Sequence, residues 1–133
     1  LDTRKKIVSP AQVELELAEG SWLVVAGYFD PLTASVAERL ENLVHDRDEK
    51  VLAVVLEAPN PLLNAEARSV LVAALRIVHL VSALPERELS RIMAHNPGIR
   101  FVFDADTERK QWDEFSTLVL GKERLVHGRE LGA

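Results

Sequence analysis

Four strand-sized apolar runs, separated by stretches with helical spacing, constrain this chain more than any other feature. They are Trp22 to Ala26, Lys50 to Leu56, Ile77 to Val81 and Ile99 to Phe103. Continuous apolar runs of this length suit strands buried on both faces, as in a parallel sheet whose crossovers are helices. Between them, Val36, Leu40, Leu43 and Val44 recur at helical spacing from Thr33 onward. Asn64 is placed to cap a helix running to Leu75, and Pro85 to Ala94 predicts a short helix burying Leu89, Ile92 and Met93. Ahead of the first run, Ser9-Pro10-Ala11-Gln12 predicts a helix start with a serine cap, a proline at the first position and a glutamine able to close a capping box. That helix should end at Gly20. Asp106 to Phe115 predicts a further helix and Thr117 to Leu120 a fifth strand, while Gly121 to Ala133 carries no clear period. With right-handed crossovers, the expected fold is a three-layer α/β sandwich with a parallel, Rossmann-like five-stranded sheet.

Length and composition fit one such domain. The chain has 133 residues, 47% of them apolar, with both charge signs present, which is enough to bury a core and too apolar for a disordered segment. A net charge of −5 argues against nonspecific nucleic-acid binding, which depends on cations neutralising phosphates. A small phosphorylated ligand held by a few local donors is still compatible with that charge. The sequence has 0 cysteines, so disulfides, thiolate metal sites and a cysteine nucleophile are excluded. His45, His79, His95 and His127 lack ligand-like spacing, and Asp46, Asp48 and Glu49 form a charged turn with no metal-binding pattern. No apolar run reaches the roughly 20 residues that span a bilayer. With a charged, non-signal N-terminus, the expected setting is cytoplasmic, with no membrane and no nucleic-acid partner. Because it starts at a leucine, the chain is also expected to lack an initiator residue or an upstream portion.

A ligand site is expected where the first strand delivers Gly27-Tyr28-Phe29-Asp30 to the C-terminal edge of the sheet, just before a helix. Gly27 would let the backbone approach a ligand, and the helix N-terminus would favour phosphate. The plainer alternative is a βα turn in which Phe29 is buried and Asp30 caps the helix.

Gly27-Tyr28-Phe29-Asp30-Pro31-Leu32 resembles the opening motif of the cytidylyltransferase-like nucleotidyltransferases, Gly-x-Phe-Asp-x-x-His-x-Gly-His. The likeness is greatest to the nucleotidyltransferase domain of ADP-heptose synthase and to the glycerol-3-phosphate cytidylyltransferase group. Lys6-Ile7-Val8-Ser9 resembles the lead-in of the heptose enzyme's domain. Asn64 to Arg68, followed by Leu71 to Val81, resembles the segment in which an arginine helix leads into the third strand. Together the matches cover roughly residues 5 to 81. The resemblance implies ligand-binding roles for Gly27, Tyr28, Phe29, Asp30, Thr33 and Arg68, a nucleotide or sugar phosphate as ligand, and a homodimer.

The pattern then breaks. Thr33 stands where the first motif histidine belongs, Ser35 replaces the glycine, and Val36 replaces the second histidine. In the family those histidines contact the nucleotide phosphates as charge gathers on the transferring phosphoryl group and on pyrophosphate. Removing one well-placed donor of that kind costs about 3–4 kcal/mol. The family's late Ser/Thr-rich segment with an arginine has no counterpart either. Thr107-Glu108-Arg109-Lys110 reads as a solvated helix start, and Val119-Leu120-Gly121-Lys122 only weakly resembles the family's late strand and lysine loop. Residues 1–133 thus read as a single domain that is C-terminally shortened or a fragment. The leading expectation is a degenerate, noncatalytic nucleotidyltransferase-like domain that binds a nucleotide or phosphometabolite. One alternative is an active enzyme moving CMP or AMP to a sugar or polyol phosphate, with Thr33 and Lys122 as catalytic candidates and magnesium accompanying the triphosphate. The other is a structural or interaction module.

Overall fold

The computed structural model describes residues 2–44 and 48–103. Its elements run α1 (Pro10–Leu17), β1 (Trp22–Gly27), α2 (Ala34–Val44), β2 (Lys50–Val55), α3 (Ala65–Ala73), β3 (Leu80–Ala83), α4 (Glu86–His95) and β4 (Arg100–Phe103), after a 3-10 turn at Thr3–Lys6. All strands are parallel, in the order β3-β2-β1-β4. Among the described residues the sheet therefore has four strands, not the five expected. The fifth rested on Thr117 to Leu120, a run too short to show a period, which lies outside the described residues together with the helix expected at Asp106 to Phe115.

Period-2 alternation divides the strand side chains between two cores. Trp22, Val24, Ala26, Leu52, Val54, Phe101 and Phe103 face α1 and α4, packing on Val13, Leu17, Leu89, Ile92 and Met93. Leu23, Val25, Val51, Ala53, Val55 and Val102 face α2 and α3, packing on Val36, Leu40, Leu43, Val72 and Ala73. Because both strand faces are covered, the strand sequences show no polar alternation. Helices on both faces of a parallel sheet make this a Rossmann-like α/β sandwich.

Helix starts follow their capping residues. The Ser9 hydroxyl accepts the Gln12 N–H at 3.2 Å, and the Asn64 side chain accepts that of Ala67 at 2.7 Å. Gln12 does not close a capping box, because its side-chain amide donates to Glu16 at 2.9 Å instead. After α1, Gly20 adopts φ 85°, a left-handed turn that glycine accepts without steric cost.

The third strand is displaced from its expected place at Ile77 to Val81. Val78 N–H donates to the Leu75 carbonyl at 3.2 Å, so the chain is still turning there, and Leu75 and Ile77 pack beneath the sheet. The strand instead runs through Ser82, a buried polar residue whose hydroxyl donates to the Val8 carbonyl at 2.8 Å.

Candidate functional site

Strand order determines where a site can lie. From β1 the chain winds through α2 to β2 and on to β3, then crosses back through α4 to β4 on the other side of β1. In open parallel sheets, ligands bind beyond the C-terminal strand ends at such a reversal, here the ends of β1 and β4. The segment reaching that edge from β1 is Gly27 to Thr33, as the motif position required.

Within this segment the expected ligand residues serve the fold. Gly27 is the last residue of β1, and its carbonyl accepts the Leu56 N–H at 2.9 Å. The left-handed residue is not this glycine but Phe29, at φ 50°. A non-glycine residue there costs on the order of 1–3 kcal/mol. Burial of the Phe29 ring, 2% exposed in the α2/α3 core, offsets that with about 2–3 kcal/mol. Tyr28 points the opposite way, into the α1/α4 core. The two aromatics thus fasten the loop to both layers.

Asp30 was expected to orient a ligand or cap α2, and it does not cap α2. Its carboxylate accepts the N–H groups of Leu62 and Leu63 at 2.7 and 2.8 Å. It thereby ties the β1–α2 loop to the loop that precedes α3. The cap of α2 is Thr33, whose hydroxyl accepts the Val36 N–H at 3.2 Å and whose carbonyl accepts that of Ala37 at 3.0 Å. Val36 packs in the core at 1% exposure, which explains a valine in place of the motif histidine.

Arg68 departs furthest from expectation. The resemblance implies a ligand-binding role for it. It is instead 3% exposed, and its guanidinium donates to three carbonyls. Nε reaches Leu63 at 3.0 Å, while Nη1 reaches Tyr28 at 2.9 Å and Leu56 at 2.7 Å. One planar fork therefore joins the ends of β1 and β2 to the lead-in of α3. Sequence reasoning missed the partners of both Asp30 and Arg68, since backbone amides and carbonyls have no residue signature. Pro59 and Pro61 exclude helix and central strand from the connecting loop, but they do not encode what it binds.

The described residues bring Gly27, Tyr28, Phe29, Asp30, Thr33 and Arg68 into one neighbourhood. Lys122 lies outside the described residues, as do the Thr107 to Lys110 stretch and Asp46. No group of three His, Asp or Glu side chains among the described residues is placed to hold a metal ion. No helix among the described residues is long and apolar enough to cross a membrane.

At the opposite edge of the sheet, Leu17, Trp22, Glu49, His95, Asn96 and Ile99 help line an open cleft of about 430 Å³. Glu49 there is ion-paired with Arg100. None of the motif residues reaches this cleft. No protein-family model matches the chain, and no curated protein matches it in sequence.

Proposed function

We propose that this chain is a noncatalytic domain of nucleotidyltransferase-like build, binding a nucleotide or phosphorylated metabolite at the edge formed by Gly27 to Thr33. The observation that carries the noncatalytic half is the commitment of Arg68: its cation is bound to the Tyr28, Leu56 and Leu63 carbonyls. Asp30 and Thr33 are likewise engaged with backbone amides, and Val36 brings no polar atom. Phosphoryl transfer needs preorganised donors aimed at developing negative charge, and these side chains do not supply them.

Ligand binding is supported by the strand-order reversal beside β1 and by the start of α2. A phosphate placed there would take its bonds from the N–H groups of Ala34 and Ser35 and gain from the helix dipole. The loop between is prebuilt, so little ordering entropy would oppose binding.

Calorimetry with CTP, ATP and ADP, with magnesium present, tests the binding half. The expected result is saturable heat from at least one nucleotide below millimolar concentration, with no pyrophosphate released when sugar phosphates are added. Absence of binding at millimolar nucleotide refutes ligand binding, and pyrophosphate release refutes the noncatalytic assignment.

A further inference from the structure

We propose that His79 is a proton-released clamp on the N-terminal edge of the sheet, closed while its imidazole is neutral and opened when Nδ1 takes a proton. This does not depend on the function proposed above, because it concerns the other end of the strands.

The geometry is a two-point grip on one buried residue. His79 N–H donates to the Val51 carbonyl at 2.9 Å, and its ring Nδ1 accepts the Val51 N–H at 2.9 Å. Val51 is 1% exposed and stands near the start of β2. In a parallel ladder, the Val51 N–H would seek the carbonyl two residues before His79, which is that of Ile77. The chain is still turning at Ile77, so the imidazole supplies the missing acceptor. A neutral ring protonated at Nε2 can do this; an imidazolium, with donors on both nitrogens, cannot.

The charged groups acting on the ring are Lys50 from β2 and Lys6 from the N-terminal turn, and both are cations. The third neighbour is Trp22 of β1, set edge-on with centroids 6.5 Å apart, with the Lys50 ammonium 5.7 Å from the indole centroid. Partial burial foremost, then Lys50 and Lys6, hold the His79 pKa below its usual 6.5. Protonation would put a third positive charge among these lysines and leave the Val51 N–H without its acceptor. The adjoining strip would loosen with it: the Val8 N–H donates to the Val81 carbonyl at 2.9 Å, and Ile7 bridges Val81. The contacts of Arg68 at the far edge involve no histidine.

Amide hydrogen exchange of the whole chain from pH 8 to pH 5, corrected for intrinsic rates, tests this. The His79 ring is titrated in the same sample by NMR. As pH falls from the ordinary imidazole value of 6.5 toward the lowered value of the closed clamp, Val51 protection should fall by up to about tenfold per pH unit, the linkage of one proton. Protection of the Leu56 amide, bonded to Gly27, should stay level. His79→Gln, whose amide oxygen accepts a hydrogen bond but does not titrate, should flatten the Val51 response. Flat Val51 protection through the His79 titration overturns the proposal. So does a wild-type drop in H79Q, or a ring protonated at Nδ1 at pH 8. Should H79Q fail to fold, the two wild-type readouts still decide.

Discussion

Replacing Arg68 by methionine keeps the length of a buried side chain and removes its hydrogen-bonding fork. Two of the three bonds, to Tyr28 and Leu56, are fully buried, and the third, to Leu63, is partly so. Hydrogen bonds to a charged group contribute about 1.5–3 kcal/mol each, and orphaned buried carbonyls add to the loss. Against this, the variant no longer buries a cation, a relief of several kcal/mol in typical interiors. The balance is a net destabilisation of about 3 kcal/mol. With a urea m-value of roughly 1.5–2 kcal/mol/M for a domain of this size, the unfolding midpoint should fall by roughly 1.5–2 M. The buried Trp22 indole gives a fluorescence signal to follow. Arg68→Lys keeps the charge without the planar fork, so its midpoint should lie between the two. The reasoning fails if R68M unfolds within about 0.5 kcal/mol of wild type, beyond ordinary surface-mutation scatter, while losing nucleotide affinity. That outcome would make Arg68 a ligand contact rather than a brace.

Three further expectations follow from the same contacts. Asp30→Ala removes the acceptor of the Leu62 and Leu63 amides, so exchange of both amides should accelerate; because the tie is partly exposed, the stability loss should be only about 1 kcal/mol. Restoring the motif with Val36→His should cost about 2–4 kcal/mol in urea unfolding, because an imidazole would enter an apolar core, and pyrophosphate assays should find no activity gained. For pH, the His79 pKa is lowered by folding, so the unfolded chain binds more protons below 6.5. Its contribution to stability is therefore complete above pH 6.5, declines as pH falls from there through the lowered folded value, and levels off below it. Urea midpoints of wild type and H79Q should diverge in that window.

The sequence made the architecture largely readable because its strands are mostly apolar on both faces and its helices carry stripes. Val36, Leu40 and Leu43 were expected on one face of a helix and are buried there; Leu89, Ile92 and Met93 behave likewise. Ser9 and Asn64 were legible as caps because a cap is local chemistry. The third strand was misplaced because apolar content alone cannot distinguish Ile77 in a packed turn from a strand residue, nor flag Ser82 as strand interior. The fifth strand was expected from Thr117 to Leu120, four residues with no period, whereas the described residues hold four strands.

The place of the first βα loop was legible, but not what its side chains bind. Gly27 to Thr33 falls at the edge where strand order reverses, as expected of a first βα loop. Asp30 binds backbone groups 32 and 33 residues away in sequence, and Arg68 binds groups 5, 12 and 40 residues away. No motif spacing encodes those partners, and a resemblance carried over from ligand-binding residues directed attention outward when both side chains turn inward.

The central claim is that the loop from Gly27 to Thr33 is a rigid, inward-braced edge whose remaining ligand contacts are backbone amides at the start of α2. An amide-resolved NMR titration with CTP, ATP and ADP, with magnesium present, addresses it most directly. Saturable shifts confined to Gly27 through Ser35 and the adjoining ends of β1 and β4, with the Arg68 side-chain signals unmoved, are the predicted result. No shift at millimolar nucleotide, or binding that maps instead to the Trp22, Glu49 and Asn96 cleft, would contradict it.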